Sequence, residues 1–457
     1  RRPPRSTPSN SSAASDVYKR QPYDTVVSHY LDTLLGVAVN YLGVNRVRLE
    51  VRAGAEHTED NWTKMINGEI TWDEYKQVWY KTVNDNSDPN VINWSGFHFS
   101  ELDYNINRLV IPFRQNLAAK GEKLYINLCY VAFQEDYNST NYDHRDPAEY
   151  AEFILAVFEH MQNNFGFVPD AVEVFLEPDV GKFGDGTLVG QCLVAAGDKL
   201  KAAGFTPDFI APSSTNLTNA ITHFDQMIQV ARVQEYWTEL SYHAYAGRTD
   251  ANLASLATRA RQYGLGASML EWWNSSNPAN MHWLHKCLDV GENVAWQIKC
   301  LFGLVNIDAS DPAHPVVTPK NFIKYIRHYT RYIRPGAIRR AASSNDSNFE
   351  PLVFTNPDGK NVVVIKANAG GSFSITGLAK GRYGLVYTTG DGANGTPSQY
   401  NIQLNDQVIS SGDILSTSIP AAGVMTIYQK DGDTVIVNHG TVRFSASAYT
   451  VGENEGE

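Results

Sequence analysis

Two glutamates set in the same way are the residues of this chain best placed to do chemistry. Glu177 closes the run Ala171-Val-Glu-Val-Phe-Leu-Glu-Pro-Asp179, and Glu271 closes the shorter apolar run Ala267-Ser-Met-Leu-Glu271, which continues into Trp272, Trp273 and Asn274. β-Branched and aromatic residues dominate the first run, which makes it a strand, and Pro178 has no N–H to give to a ladder and stops it just after the carboxyl group. An acid at the C-terminal tip of a parallel strand stands on the rim where α/β barrels do their chemistry. One such acid could be no more than the cap of a turn. Two can converge across the mouth, and glycoside hydrolysis with retention needs two carboxyl groups about 5 to 5.5 Å apart, one as nucleophile and one as proton donor. One of the two must keep its proton while its neighbour is ionised, which desolvation and mutual repulsion can achieve.

The elements that must hold them alternate regularly. Strands are expected at Arg46, Leu124, Ala171, Asp208, Trp237, Ala267 and Asn293, with helices near residues 103–120, 147–164, 188–203, 216–231 and 252–263, the pattern of a parallel sheet with right-handed crossovers. Residues 1–21 have neither periodicity nor an apolar core, resemble a translated cloning adaptor, and are set outside the fold as a disordered leader. The chain then opens on a helix over residues 24–42, with Val27, Tyr30, Leu34, Val37 and Tyr41 at helical spacing and no strand before it. The expected fold is therefore a (β/α)8 TIM barrel over residues 22–336 whose first strand is missing, with Glu177 ending strand four and Glu271 strand seven.

The strand from Arg46 to Arg52 is apolar at odd positions and charged at even ones, and charges facing a barrel interior must be paired; Glu173 and Glu177 are their natural partners. Residues 54–99, carrying Trp62, Trp72, Trp79 and Trp94, are too long for a simple connection and of the kind that carries function. A helix over residues 319–332 ends at Arg334-Pro-Gly336, after which the texture changes. Short β runs near residues 352–355, 362–367, 372–376, 383–388, 402–404, 424–428 and 434–437 alternate with Gly-rich turns, which predicts a β-sandwich over residues 337–450 followed by a disordered acidic tail, 451–457. None of the nine tryptophans falls in it, so any tryptophan sugar platform belongs to the barrel.

Composition narrows the rest. Of 457 residues 43% are hydrophobic and 19% charged, enough to bury a core in each of two domains. A net charge of −11 argues against a nucleic-acid partner, and no apolar run approaches the 18 or so residues of a membrane span. Cys129, Cys192, Cys287 and Cys300 lack metal-ligand spacing and read as small core residues, with room for one disulfide. Gly181, Gly184 and Gly186 fit no phosphate-binding pattern, and His282 and His285 share a helix turn with no third ligand in view, so neither cofactor nor metal is expected.

On these residues the chain resembles the clan of retaining glycoside hydrolases built on (β/α)8 barrels, and within it glycoside hydrolase family 30. The stretch Tyr329-Thr-Arg-Tyr-Ile-Arg-Pro-Gly-Ala-Ile338 is similar to the family's barrel-to-sandwich junction, and Ser241-Tyr-His-Ala-Tyr245 to its strand-six segment. The resemblance covers most of residues 24–430 and implies Glu177 as acid/base and Glu271 as nucleophile, acting on β-glycosidic bonds of an oligo- or polysaccharide. It places Arg48 near the nucleophile, although a structural pairing with Glu173 accounts for it equally. His243 and Tyr245 would orient Glu271 or touch sugar, or make an ordinary rim hydrogen bond; Trp272, Trp273 and Trp296 would stack on pyranose faces. One position departs: the clan usually has Asn before the acid/base, bound to the substrate 2-hydroxyl, and here it is Leu176. Either Asn127 or His243 takes that role, or the substrate differs, or the protein binds carbohydrate without cleaving it. A monomer that is secreted or periplasmic is the matching expectation, with no signal peptide in the sequence given.

Overall fold

Backbone hydrogen bonds join eight parallel strands into a closed ring: β1 (Ser9–Ala13), β2 (Arg46–Arg52), β3 (Tyr125–Val131), β4 (Ala171–Glu173), β5 (Asp208–Ser214), β6 (Trp237–His243), β7 (Gly266–Glu271) and β8 (Asn293–Ile298). The computed structural model describes residues 9–13, 25–133, 143–180, 184–272, 277–298, 301–311, 313–390, 399–410, 412–431, 442–445 and 448–451. The expected run at 434–437, Cys300, Gly181 and residues 452–457 lie outside these.

The first strand corrects an expectation. Residues 1–21 were to stand outside a barrel lacking strand one, yet Ser9–Ser12 pairs with Ala295–Ile298 and Ser11–Ala13 with Arg46–Arg48, both in parallel. Ser-Asn-Ser-Ser-Ala has no β-branched residue, so periodicity could not mark it. Its place is set by the neighbours: without it, β2 and β8 would face each other with unpaired N–H and C=O rows, which an extended backbone of almost any sequence can satisfy.

The helices are cut by ordinary signals. In helix Pro147–Phe165, Asp146 accepts from the Ala148 N–H, proline opens the first turn, and Gly166 ends it at φ 69°. Its stripe of Tyr150, Phe153, Ile154, Val157, Phe158 and Met161 is buried on the barrel, each side chain contributing about 1.5–3 kcal/mol. Helix Thr25–Gly36 runs on into a π-turn, Val37–Leu42, stopped by Gly43 at φ 75°.

The charged face of β2 finds other partners than Glu173 and Glu177. Arg46 is held in a fork by Glu239 (2.7 and 3.0 Å), Arg48 pairs with Glu271, and Arg52 pairs with Glu101 beneath the ring of Trp79. Barrel interiors are filled in layers drawn from alternate strands, so Arg46 and Arg48 meet acids of β6 and β7 across the barrel, while Arg52, nearer the mouth, meets the helix Ser100–Asn105. Sequence alternation marks the face but not the layer.

The stretch between β2 and β3 folds as a unit. Trp62, Met65 and Tyr75 form its own small core, with Trp72 and Trp79 packed on it, so of its four tryptophans only Trp94 is exposed. A buried relay pins it to the barrel: His144 Nε2 lies 2.5 Å from Glu56 and Nδ1 2.7 Å from the Tyr130 hydroxyl, while Glu56 also accepts from the Asp85 N–H (2.8 Å).

Beyond the barrel, strands Ile338–Arg340, Phe349–Thr355, Asn361–Ala367, Gly423–Gln429, Gly381–Thr389 and Gln399–Ile409 form one sheet in that order, and Gly371–Ile375 and Leu415–Ile419 belong to a second. Phe349, Val363, Phe373, Ile419 and Met425 from both sheets share one core. The residues of the junction explain themselves: Arg334 pairs with Glu122 and donates to the Gly43 carbonyl (2.8 Å), Gly336 turns at φ 91°, and Tyr329 bonds His285 (3.0 Å). His285 is thereby a structural residue. The hairpin Val305–Asp308 and Val316–Pro319 was not foreseen. Cys129, Cys192 and Cys287 are buried and free, so no disulfide joins any of these three. Among the described residues no helix is long and apolar enough to cross a membrane.

Two outcomes follow from these contacts. Deleting residues 1–13 strips β1 from β2 and β8 and should lower the thermal midpoint by about 5 °C or more; an unchanged midpoint in scanning fluorimetry would show that this pairing contributes nothing. His328, fully buried between the Thr388 and Thr426 hydroxyls, is pushed down to about 3 from its ordinary 6.5, first by burial and then by Arg327. The unfolded chain therefore binds one more proton between these values, so stability present above pH 6.5 is lost on acidification at about 1.4 kcal/mol per unit. His328→Asn should flatten that slope in denaturant titrations between pH 6.5 and 4.

Candidate active site

Glu177 and Glu271 meet at the C-terminal mouth of the barrel: one carboxyl oxygen of each, with a ring nitrogen of His243, all lie within 4.8 Å of one another. Local structure explains the position of each. Regular β4 ends at Glu173, but the chain keeps the strand path, Val174 N–H donating to the Ile210 carbonyl (3.0 Å) and Leu176 N–H to that of Tyr130 (3.0 Å). At Glu177 it turns into the left-handed region, φ 51°, an uncommon pose for a residue with a long side chain. Several contacts hold it there. Its N–H donates to the Ser213 carbonyl (3.1 Å), and Ser213, itself at φ 53°, is fixed by Ser241 Oγ to both its N–H (3.0 Å) and its hydroxyl (2.7 Å). Asp179, two residues on, accepts from the Thr215 N–H, the Thr215 hydroxyl and Asn219 Nδ2, tying the turn to the end of β5.

Glu271 is the last residue of β7 and is buried. Arg48 donates to its Oε2, and the Tyr245 hydroxyl donates to its Oε1 at 2.6 Å. Burial alone would raise its pKa, but the Arg48 charge, the nearby His243 and the Tyr245 bond outweigh it and hold the carboxyl at about 2. Tyr245 is pushed well up by burial and by the Glu271 charge, so its hydroxyl stays a donor. His243 Nδ1 lies 2.7 Å from Glu177 Oε1. Burial pulls the imidazole down, but the Glu177 bond and charge, together with Glu271, carry it above its ordinary value despite Arg48. The result is one carboxylate kept ionised with both oxygens engaged, and a second, less buried one, bonded on one oxygen by His243.

The other candidates separate. Tyr245 stands at the rim, 40% exposed. Asn127 is buried one layer below, its Nδ2 donating to Glu173 Oε2 (2.7 Å), and touches neither Glu177 nor Glu271 through that bond. Trp272 is buried beside Trp283 with the Arg248 guanidinium 5.0 Å over its ring, so that face is already covered. Trp296 is buried against Cys287 of helix Asn277–Asp289, on the helix-facing side of β8, because alternate strand residues take opposite sides. Trp273 lies outside the described residues. Leu176 packs with Tyr80, Cys129 and Val131, an apolar patch next to the acid pair. Sequence reasoning missed Ser213 and Arg248, since neither a serine at positive φ nor an arginine over an indole leaves a local pattern.

Glu177, His243 and Glu271 are also, among the described residues, the one group whose ligand atoms cluster closely enough for a metal ion. They fit one poorly: His243 Nδ1 is spent on Glu177, both Glu271 oxygens are taken, and the Arg48 guanidinium opposes a cation.

The sequence matches no family model and no curated protein. Solved structures do match. The catalytic domain of a family 30 xylanase C from Talaromyces cellulolyticus superposes with a TM-score of 0.64 at 16% identity, covering 94% of this chain and 98% of that one. An endo-β-1,6-glucanase gives 0.60 at 14% over 93% and 92%, and a conserved exported protein from Bacteroides fragilis 0.64 at 11% over 93% and 98%. These likenesses bear out, at the level of fold, the resemblance to family 30: a TIM-barrel-like fold of the kind these glycoside hydrolases use.

Because Glu271 is depressed below 4.5, its pairing stabilises the fold above that pH and ceases to as the pH falls toward 2. Arg48→Met, which leaves this carboxylate buried without its cation, should cost about 3–5 kcal/mol in denaturant titration at pH 7 and clearly less at pH 4. Equal losses at both values would show that Arg48 acts by packing alone.

Proposed function

We propose that the protein is a retaining glycoside hydrolase that cleaves β-glycosidic bonds of an oligo- or polysaccharide. The observation that carries this reading is the approach of one oxygen of each rim carboxyl group to within 4.8 Å, close to the roughly 5–5.5 Å separation of double displacement and well short of the 6.5–9.5 Å that leaves room for a water on the far face. Glu271 is the nucleophile, its charge maintained by Arg48 and its orientation by Tyr245. Its oxygen bonds to the anomeric carbon as the glycosidic bond breaks, and Glu177 gives its proton to the departing oxygen. Glu177 then takes a proton from water, whose oxygen bonds to the anomeric carbon as the ester to Glu271 breaks. Two inversions give retention.

The substrate class rests on the carbohydrate activities named for the similar structures and on the rim position of the acids. Action on a polysaccharide outside the cell, by a monomer secreted or periplasmic, goes with it; the two C-terminal sheets then form a β-sandwich domain beside the catalytic barrel. One observation favours a second reading. Leu176 presents an apolar group where a hydrogen bond to the sugar 2-hydroxyl would strengthen in the transition state, and a protein that has lost that bond could retain sugar binding alone.

A panel of aryl β-glycosides and β-linked polysaccharides, offered to the wild type, Glu177→Gln and Glu271→Gln with the product anomer followed by NMR, separates these. The expected result is a retained anomer and a loss of about a hundredfold or more in both variants. Sugar binding by a folded wild type without turnover would select the second reading.

A further inference from the structure

The mechanism above gives no part to Glu173, a buried carboxyl group close to the acid pair. Glu173, four residues before Glu177, is fully buried under the mouth; Asn127 holds its Oε2, and its Oε1 faces His243 Nε2 at 4.0 Å. Those two facing atoms are each buried and without a hydrogen-bond partner. On its other side the same ring meets Glu177 at 2.7 Å. His243 thus lies between two carboxyl groups, one on each ring nitrogen. A neutral imidazole carries one N–H and one lone pair, so either neutral tautomer would aim a lone pair at one of them. Only the doubly protonated ring presents N–H to both.

We propose that Glu173 is a positioning residue that acts on Glu177 through His243, keeping a proton on Nε2 so that Nδ1–H always faces the acid/base carboxyl. His243 is then a fixed cation, and only the proton on the other oxygen of Glu177 moves. When Glu177 gives that proton to the leaving oxygen, the carboxylate it becomes is met at once by a charged N–H donor, with no proton drawn from His243. The groups facing His243 agree with this role. Among the described residues, Glu173 and Glu177 border it from β4 and its extension and Glu271 from β7, against the Arg48 cation from β2, with Tyr245 from its own strand's continuation and the Cys129 thiol of β3 beside Glu173. Its upward displacement, despite burial, comes from the Glu177 bond and charge and from Glu271, so the part of Glu173 rests on the facing geometry. The role rests on the glycosidase reading only for its kinetic consequence; the charge on His243 does not.

The test begins with the wild type, labelled with 13C at histidine Cε1 and titrated by NMR, the His243 signal being assigned by its absence from His243→Gln. The expected midpoint is above the 6.5 of free imidazole, and in Glu173→Gln it falls by about one pH unit or more. A wild-type midpoint at or below 6.5 overturns the proposal without recourse to any variant at Glu173, as does an unchanged midpoint in a folded Glu173→Gln. Kinetics supply the second readout. Glu173→Gln should lower kcat on a glycoside with a poor leaving group about tenfold more than on the 2,4-dinitrophenyl glycoside, with KM altered less than about twofold, since only poor leaving groups need the acid. Equal losses on both would overturn the link to Glu177. A wild type that hydrolyses nothing removes the glycosidase reading alone, and the titration still decides the charge on His243.

Discussion

The ion pair between Arg48 and Glu271 is the contact to which the rest of the barrel is adjusted. An arginine buried to this depth is tolerable only with an acid against it, and an acid buried to this depth stays ionised only with such a cation. β2 repeats the demand along its length, with Arg46 lower down answered by Glu239 and Arg52 nearer the mouth by Glu101. The barrel interior is in this sense a column of paired charges as much as an apolar core. The Glu177 and Glu271 pair is the level of that column at the barrel mouth. In the proposed reaction, a nucleophile held in this way needs no base to activate it, because its surroundings keep it ionised.

The second carboxyl group is governed by backbone as much as by charge. Glu177 leaves the strand in a conformation that side chains rarely adopt, and it does so beside Ser213, which adopts the same one. Two such residues joined by a hydrogen bond, with Ser241 beneath and Asp179 beyond, make a rigid corner. Strain of this kind persists when its surroundings over-determine it, and here the Ser213, Ser241 and Asp179 hydrogen bonds do so.

Much of this was legible in advance where side-chain type and period coincide. Alternation at β2, the proline after Glu177 and the regular succession of apolar strand and helix runs placed the strands, the acids and most helices. The failures have physical causes. β1 is defined by the gap it fills and not by its own residues. The partners of Arg46 and Arg48 come from β6 and β7 and that of Arg52 from the helix Ser100–Asn105, none of which the sequence of β2 encodes. Trp296 reads as a strand-tip aromatic and faces a helix, and Trp272 reads as a sugar platform and lies under Arg248, because exposure is settled by packing. The role suggested for Glu173 emerges only when the barrel brings β4 and β6 to either side of β5.

The anchoring of the long segment between β2 and β3 has a consequence for what it can do beside the acid pair. A lid works by exchanging between an open and a shut arrangement, at the cost of ordering itself each time. This segment carries its own aromatic core and is bolted to β3 through Glu56, His144 and Tyr130, all buried. It behaves as masonry. The wall that Tyr80 and Trp79 of this segment make against Leu176, one residue before Glu177, is then built into the fold, so a ligand meeting it would find it already ordered.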